Sequence, residues 1–271
     1  MLSYAFMQNA LAISFCIALL CPSIGLFLVL RRLSLIGDAL SHASLAGIAA
    51  GLFFRQNPVL SAFAVTAAAG LLIEWLRASF ARYTELILAV ILSLSVGTAL
   101  TLISTGRLHA NVNSFLFGSL LTVTREDIAA TAALTALSLA VLYRFFHEFL
   151  YLAYDETSAR IAGVRVRRLQ FLFTLLAAAA VAVSIRAVGV LVVGSLLALP
   201  AATALQFGKG FRATFFLSIA VSFLDLLLGL FLSWHLGTAP GGMTALVSAL
   251  LLLVLLLART IRRRVFCQRR A

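Results

Sequence analysis

The sequence LIGDALSHASLAGIAAG, residues Leu35 to Gly51, combines an apolar run with two ionisable side chains. Asp38 and His42 are four residues apart, so a helix places them one above the other on the same face. The alanine and glycine residues around them leave a surface on which another helix can pack closely. The stretch therefore predicts a closely packed helix that carries an acid and an imidazole on one face.

Asp38 and His42 have two interpretations. A charged side chain at the centre of a bilayer costs about 2.5–3.5 kcal/mol on insertion scales, so such residues are candidates for function. A carboxylate oxygen and an imidazole nitrogen one turn apart can hold a divalent cation or relay protons. Alternatively, Asp38 caps the first turn and His42 hydrogen-bonds a neighbouring helix. The residues alone leave both interpretations open.

The composition indicates a membrane protein. Hydrophobic residues make up 63% of the chain and charged residues 11%, whereas soluble domains have about 25% charged residues. The net charge of +12 does not indicate nucleic-acid binding, because the basic residues lie at the ends of apolar runs, where they set orientation and meet anionic lipid. The fold class predicted is an all-α, polytopic helical membrane protein that forms a single transmembrane domain over residues 1–271.

About nine stretches approach the ~20 apolar residues that a bilayer requires. They are Ala10 to Leu30, Ile36 to Phe54, Pro58 to Leu76, Leu86 to Ile103, Ile128 to Phe146, Leu169 to Ile185, Val188 to Phe207, Thr214 to Trp234 and Met243 to Ala258. The seventh contains Gly189, Gly194 and Pro200 and could be broken or re-entrant, which leaves eight spans as the alternative. Residues 115–121 are predicted to dip back towards the protein, and His109 before them to be solvated.

The arginine residues predict the orientation of the chain. With the N-terminus outside and the C-terminus in the cytoplasm, most basic residues lie on the inside, as the positive-inside rule requires. The inner group comprises Arg31, Arg32, Arg77, Arg82, Arg144 to Arg168, Lys209, Arg212 and Arg259 to Arg270, and the outer group Arg55, Arg107, Arg125 and Arg186.

The longest cytoplasmic loop contains YDETSARIAGVRV, residues 154–166. Asp155 or Thr157 can cap a short helix there, and Gly163 suits a left-handed stop. Ala159, Ala162 and Gly163 would leave a small-residue surface that a partner could grip. The alternative is an interfacial turn that rests on lipid headgroups.

Two further carboxylates lie within apolar stretches. Asp225 is in the middle of a predicted span and is a further candidate metal ligand, or it is hydrogen-bonded between helices. Glu74 is predicted to pair with Arg77. No GxxxxGK[ST] motif occurs, since Lys209 is the only lysine and Gly210 follows it. The chain therefore has no Walker A loop to bind ATP, and no residues point to an enzyme.

The sequence RRLSLIGDALSHASLAGIAAG resembles the signature of the permease subunits of metal-importing ABC transporters of the zinc, manganese and iron type. DETSARIAGV and VGVLVVGSLLALPAATA are similar to further segments of that family, and the resemblance extends over nearly the whole chain. It implies a bacterial inner-membrane permease, with the loop at Asp155 to Val164 as a coupling helix. The implied partners are a cytoplasmic ATP-binding subunit and an extracytoplasmic metal-binding protein.

The resemblance also suggests a homodimer, in which a two-fold axis would bring together two aspartates and two histidines for a transported metal ion. No permanently bound cofactor is expected. Zinc is the preferred cargo because imidazole nitrogen suits it better than it suits manganese. The alternatives are a manganese or iron importer of the same family and a proton-coupled secondary carrier that uses Asp38, His42 and Asp225.

Overall fold

The computed structural model describes residues 5–105, 113–118 and 124–268, and within these ranges the chain is helical without any strand. The described helices are α1 (Ala5–Leu30), α2 (Leu35–Phe53), α3 (Pro58–Ser79), α4 (Thr84–Ser104), α5 (Asn113–Phe117), α6 (Arg125–Arg144), α7 (Phe146–Tyr154), α8 (Glu156–Ile161), α9 (Val166–Val188), α10 (Val190–Leu205), α11 (Phe211–Leu236) and α12 (Pro240–Gln268). A 3-10 turn over Ala81–Tyr83 joins α3 to α4.

Four helices form the interior of the bundle. α1, α2 and α9 bury most of their length, and α10 buries more than half of its residues. α3, α4, α6 and α12 form the periphery. The inner helices are rich in small residues, such as the run LAAAAVAVS in α9. Small side chains let helices approach closely inside lipid, where van der Waals packing holds them together.

The structure confirms a polytopic helical membrane protein. Eight of the described helices are long and apolar enough to cross a bilayer. The remaining predicted span, Val188 to Phe207, corresponds to α10, which has only 16 residues. At about 1.5 Å per residue this helix is about 24 Å long, somewhat less than the ~30 Å hydrocarbon core.

Contacts at both ends of α10 show how it runs through the bundle. A Cβ at Gly241, near the start of α12, would lie 2.2 Å from the carbonyl oxygen of Val188. At the opposite end, Arg259 of α12 donates to the side chain of Gln206 at 3.1 Å. α10 therefore runs parallel to α12 from one end of the bundle to the other, which supports nine crossings rather than eight.

Hydroxyl groups inside the bundle are mostly satisfied within their own helices. Ser41 donates to the carbonyl of Gly37 at 2.8 Å, and Thr66 to that of Ala62 at 2.6 Å. Such bonds to the preceding turn let Ser and Thr occupy buried positions without a partner on another helix.

The Glu74 carboxylate of α3, paired with Arg77 on the same helix, also bonds to α9. Glu74 is 4% exposed and accepts two hydrogen bonds from Arg77, at 2.9 and 3.0 Å, which confirms the predicted pairing. The hydroxyl of Thr174 on α9 donates to the same carboxylate at 2.9 Å. One helical turn away, a Cβ at Gly70 would lie 2.6 Å from the methyl carbon of Thr174. The carboxylate therefore fixes the contact between two helices as well as the position of Arg77.

The opposite end of the bundle is held by a helix cap. Thr124 and Asp127 form a capping box at the start of α6, which satisfies the free N–H groups of the first turn. Arg186, near the end of α9, donates to Asp127 at 2.7 Å. Asp127 thus ties the start of α6 to the end of α9.

Two segments differ in detail from the sequence-based expectations. α7 was not predicted, because an apolar face over nine residues is too short to indicate a span; it packs Phe149 and Leu152 into the core. Residues 115–121 were predicted to dip back towards the protein. The structure shows this as far as Gly118, which approaches the backbone of Gly189. The remainder of that segment and His109 lie outside the described residues.

The Glu74 pair allows a test of the fold. Glu74→Ala should lower stability by about 3–5 kcal/mol, because it leaves the largely buried Arg77 without its partner. Glu74→Leu combined with Arg77→Leu should recover most of that loss, since no uncompensated charge remains. Thermal unfolding of the purified protein in detergent measures both. Glu126→Ala, at an exposed position of α6, is the control; equal effects of Glu74→Ala and Glu126→Ala would contradict a buried pair.

Candidate functional site

α2 lies against α3 at backbone contact. A Cβ at Gly47 would be 2.6 Å from the carbonyl oxygen of Ser61, and one at Gly51 would be 2.8 Å from the Ser61 side chain. Only glycine permits this approach, which explains the spacing of the two glycines in GIAAG, residues 47–51. The close contact fixes the rotation of α2, and with it the face on which Asp38 and His42 lie.

The opposite side of α2 meets α10. The side chain of Leu197 packs at Gly37, and the carboxylate of Asp38 lies directly over Gly194. A Cβ at Gly194 would be only 1.9 Å from Oδ1 of Asp38, so any side chain there would displace the carboxylate. Gly194 therefore makes room for Asp38, a role that sequence analysis did not assign because it depends on which helix packs against α2.

His42 lies one turn further along α2 and is half-buried. Its Nδ1 atom is buried and has no hydrogen-bond partner within the described part of the chain. A buried polar atom without a partner costs about 1–3 kcal/mol, so this ring nitrogen is open to a partner from outside the described residues. The interpretation in which the ring hydrogen-bonds a neighbouring helix through Nδ1 is thus not observed.

Asp38 is exposed and does not cap its helix. The N-cap of α2 is Ser34, and no side chain forms a capping hydrogen bond at this helix start. One carboxylate oxygen rests over Gly194 of α10, and the rest of the group is open. Asp38 and His42 together offer a hard oxygen and an imidazole nitrogen, the ligand types that divalent transition metals accept.

Asp38 and His42 are fewer ligands than a complete metal site needs. Among the described residues, no group of three or more His, Cys, Asp or Glu side chains lies close enough to hold a metal ion. Zinc usually takes four ligands. The part of the chain that the structure describes therefore offers Asp38 and His42 as two candidate ligands, and the exposed side of Asp38 leaves space for further ligands.

Asp225 does not join the α2 pair in this chain. It is fully buried on α11, and neither carboxylate oxygen has a hydrogen-bond partner among the described residues. Ser248 of α12 faces the carboxylate without reaching hydrogen-bond geometry. Both sequence-based roles of Asp225, as a metal ligand and as a group hydrogen-bonded between helices, stay predictions.

α8 begins and ends at the residues that the sequence indicated. Asp155 is its N-cap and accepts from the backbone N–H of Thr157 at 2.9 Å. The hydroxyl of Ser158 and this N–H hold the pKa of the Asp155 carboxyl below its usual range. Gly163 follows the helix with φ of 81°, the left-handed conformation that favours glycine.

The prediction that Ala159 belongs to the docking surface is wrong. Its side chain is fully buried and packs in the core, so it does not face a partner, whereas Ala162 and Gly163 are exposed. Ile161 was missed: it is 84% exposed, at the tip of the segment. An isolated apolar side chain of this kind at the end of a short helix is a candidate anchor for a partner surface.

Comparisons with known proteins agree with this architecture. Residues 3–259 match the ABC 3 transport family. A probable metal transport system membrane protein of Treponema pallidum (strain Nichols) is 46% identical over 256 residues, which are 94% of this chain and 96% of that protein. The high-affinity zinc uptake system membrane protein ZnuB of Haemophilus influenzae is 29% identical, over 92% of this chain and 96% of that one.

Similarity also extends to proteins named for manganese. The manganese import system permease protein ScaB of Streptococcus gordonii is 28% identical, over 93% of this chain and 90% of its own length. Among solved structures, PsaBC from Streptococcus pneumoniae in complex with Fab aligns with a TM-score of 0.84 and 26% identity, over 94% of this chain and 92% of that one. With a family match that covers nearly the whole chain, the protein belongs to the ABC 3 transport family.

Proposed function

We propose that the chain is the permease subunit of an ATP-driven importer that moves a divalent transition metal ion, zinc by preference, into the cytoplasm. The observation that carries this proposal is the pair on α2: Asp38 lies over Gly194 with one side open, and His42 has a buried, unpartnered Nδ1. Membership of an ABC transport family favours this function over the proton-coupled carrier, which the residues alone left open.

The metal site is completed by a second copy of the chain. One chain contributes two ligands, and a two-fold axis beside the open face of Asp38 would supply a second carboxylate and a second imidazole. A site assembled at a subunit boundary can also open when the subunits move, which lets the ion leave.

Zinc is the preferred cargo on ligand chemistry, with manganese and iron as the alternatives. Imidazole nitrogen suits zinc, while manganese favours carboxylate and carbonyl oxygen. Relatives of similar identity are named for zinc uptake and for manganese import, so overall similarity does not separate the cargoes. An uptake assay in which zinc, manganese and iron compete discriminates the three candidate cargoes.

ATP hydrolysis takes place on a separate cytoplasmic subunit, because no Walker A sequence occurs in this chain. The docking segment for that subunit is the end of α8, with Ile161, Ala162 and Gly163 exposed and Asp155 capping the helix. An extracytoplasmic metal-binding protein delivers the ion at the opposite end. In this arrangement the N-terminus lies on the outer side of a bacterial inner membrane and α8 lies on its cytoplasmic side, in agreement with the distribution of arginine.

The α2 pair gives the first functional test. Asp38→Ala or His42→Ala should abolish uptake of zinc, manganese and iron without loss of membrane insertion, because each removes a ligand. Uptake by the wild type should also decrease on acidification, since protons compete for the ligand atoms. Ser44→Ala on the same helix is the control: Ser44 is buried with an unpaired hydroxyl. Normal uptake by both site variants would remove α2 from the transport route.

Gly194 gives a second test that leaves both ligands in place. Gly194→Ala should reduce transport by about 10–100-fold, the range found when groups that position metal ligands are altered, because the new methyl group displaces the Asp38 carboxylate. Gly97→Ala in α4 is the matched control, since a Cβ there meets nothing within 4 Å. Metal uptake by the two variants is compared at equal membrane abundance, and equal rates would contradict the proposed role of the α2–α10 contact.

Substitution of Gly163 tests the coupling between ATP hydrolysis and metal transport. Gly163→Val should weaken association with the ATP-binding subunit, because a β-branched residue adopts φ of 81° only with strain. The added Cβ itself meets no neighbour within 4 Å, so the effect comes from the backbone. Gly210→Val, also in an open position but at negative φ, is the control.

The readouts are co-purification of the ATP-binding subunit and metal-stimulated hydrolysis. Metal binding to the membrane domain should persist in Gly163→Val. A variant that retains its ATPase and hydrolyses at the wild-type rate with full uptake would show that α8 is an interfacial turn only.

A further inference from the structure

A groove lies between the end of α6 and the start of α11, outside the proposed transport site. It encloses 660 Å³, which is within the usual range for ligand sites. Its floor is aromatic: the ring of Phe211 lies 5.3 Å from that of Phe27 on α1 and 5.4 Å from that of Phe146 on α7, and Phe215 stacks beside it at 6.4 Å. The groove therefore presents a continuous apolar surface.

The mouth of the groove is basic. Arg144 and Arg212 are exposed there together with His147, and none of the described residues that line the groove is acidic. Within the described part of the chain, neither guanidinium forms a salt bridge. The Arg144 guanidinium lies 5.4 Å from the ring centroid of Phe145, a cation–π contact that limits its freedom. Two preplaced cations thus face an open cavity without a protein anion.

The groove lies at the boundary between lipid and water. Arg144 is the last residue of α6 and Arg212 the second residue of α11, and both helices are membrane spans with largely exposed apolar surfaces. Tyr143, which also lines the groove, is 88% exposed, and Tyr is enriched at membrane interfaces. The groove is at the end of the bundle that carries α7 and α8, which the arginine distribution assigns to the cytoplasmic leaflet.

We propose that this groove binds an anionic phospholipid of the cytoplasmic leaflet, with its phosphate between Arg144 and Arg212 and an acyl chain along the aromatic floor. Guanidinium groups bind phosphate oxygens with paired, charge-assisted hydrogen bonds. Basic pockets between membrane helices on the cytoplasmic side are suited to anionic headgroups. Arg144 and Arg212 repel the ammonium of a choline or ethanolamine group, and no acidic side chain among the described lining residues offsets that repulsion, so the groove selects for net negative charge.

The test is native mass spectrometry of the purified full chain in detergent, titrated with phosphatidylglycerol or with phosphatidylcholine of the same acyl chains. The wild type should retain phosphatidylglycerol in preference to phosphatidylcholine. Arg144→Gln combined with Arg212→Gln should weaken phosphatidylglycerol retention by at least about 10-fold, because it removes the charge-assisted hydrogen bonds to the phosphate. Retention of phosphatidylcholine should not change.

The matched control is Arg82→Gln combined with Arg167→Gln. Both residues are exposed at the same end of the bundle, and Arg167 also lies over an aromatic ring, that of Phe171 at 5.8 Å. This control should retain phosphatidylglycerol like the wild type. Leu139→Trp, which fills the groove without a change in charge, should reduce retention and covers the case in which the arginine variant does not fold.

If the control variant and the groove variant lost phosphatidylglycerol equally, net charge alone would explain the loss, and the proposal would be overturned. Equal retention of the two lipids by the wild type would do the same. Loss of the ATP-binding subunit from the groove variant, with lipid retention unchanged, would assign the groove to that subunit instead.

Discussion

The packing of α2 against α3 and α10 is the constraint on which the rest of the structure depends. A carboxylate and an imidazole inside a bilayer must face protein, water or a bound ion rather than lipid, so the rotation of α2 decides whether they are tolerated. Gly47 and Gly51 bring α2 against α3, and Gly194 lets α10 pass beneath Asp38. The small residues of the inner helices follow from this need, because each larger side chain would push α2 away and change the direction of both polar groups.

A continuous series of contacts connects α8 with α2. α8 is fastened to α9 by the hydrogen bond between Glu156 and Gln170, at 3.1 Å. Further along α9, Thr174 contacts both Glu74 and Gly70 of α3, and the position of Gly70 also adjoins the side chain of Leu40 on α2. Energetic coupling between distant sites is carried by chains of packed side chains and hydrogen bonds of this kind. A displacement of the docking segment would therefore act on the helix that carries the proposed metal ligands.

The features that could be predicted from the sequence are local in the chain. The one-turn spacing of Asp38 and His42, the cap at Asp155 and the left-handed Gly163 depend on neighbours within a few residues, and the structure has each of these geometries. The length of each apolar stretch likewise indicated the membrane spans. Features that depend on helix pairing could not be predicted, because the pattern of one helix does not say which neighbour it meets.

Gly194 and Ala159 illustrate that limit. Gly194 could be noted as a break in an apolar run, but its place beneath Asp38 requires knowledge that α10 packs on α2. Ala159 was assigned to a docking surface because small residues cluster there, whereas the helix turns it into the core and exposes Ile161 instead. The six-residue α8 is too short for its apolar period to define a buried face.

The coordination of a bound zinc ion tests the central claim most directly. X-ray absorption at the zinc edge, on the purified protein loaded with one zinc ion per two chains, should show imidazole nitrogen at about 2.0–2.1 Å together with carboxylate oxygen. The imidazole signal should vanish in His42→Ala and remain in Ser44→Ala. An imidazole signal that persists in His42→Ala would place the metal elsewhere and contradict a site built from Asp38 and His42 of two chains.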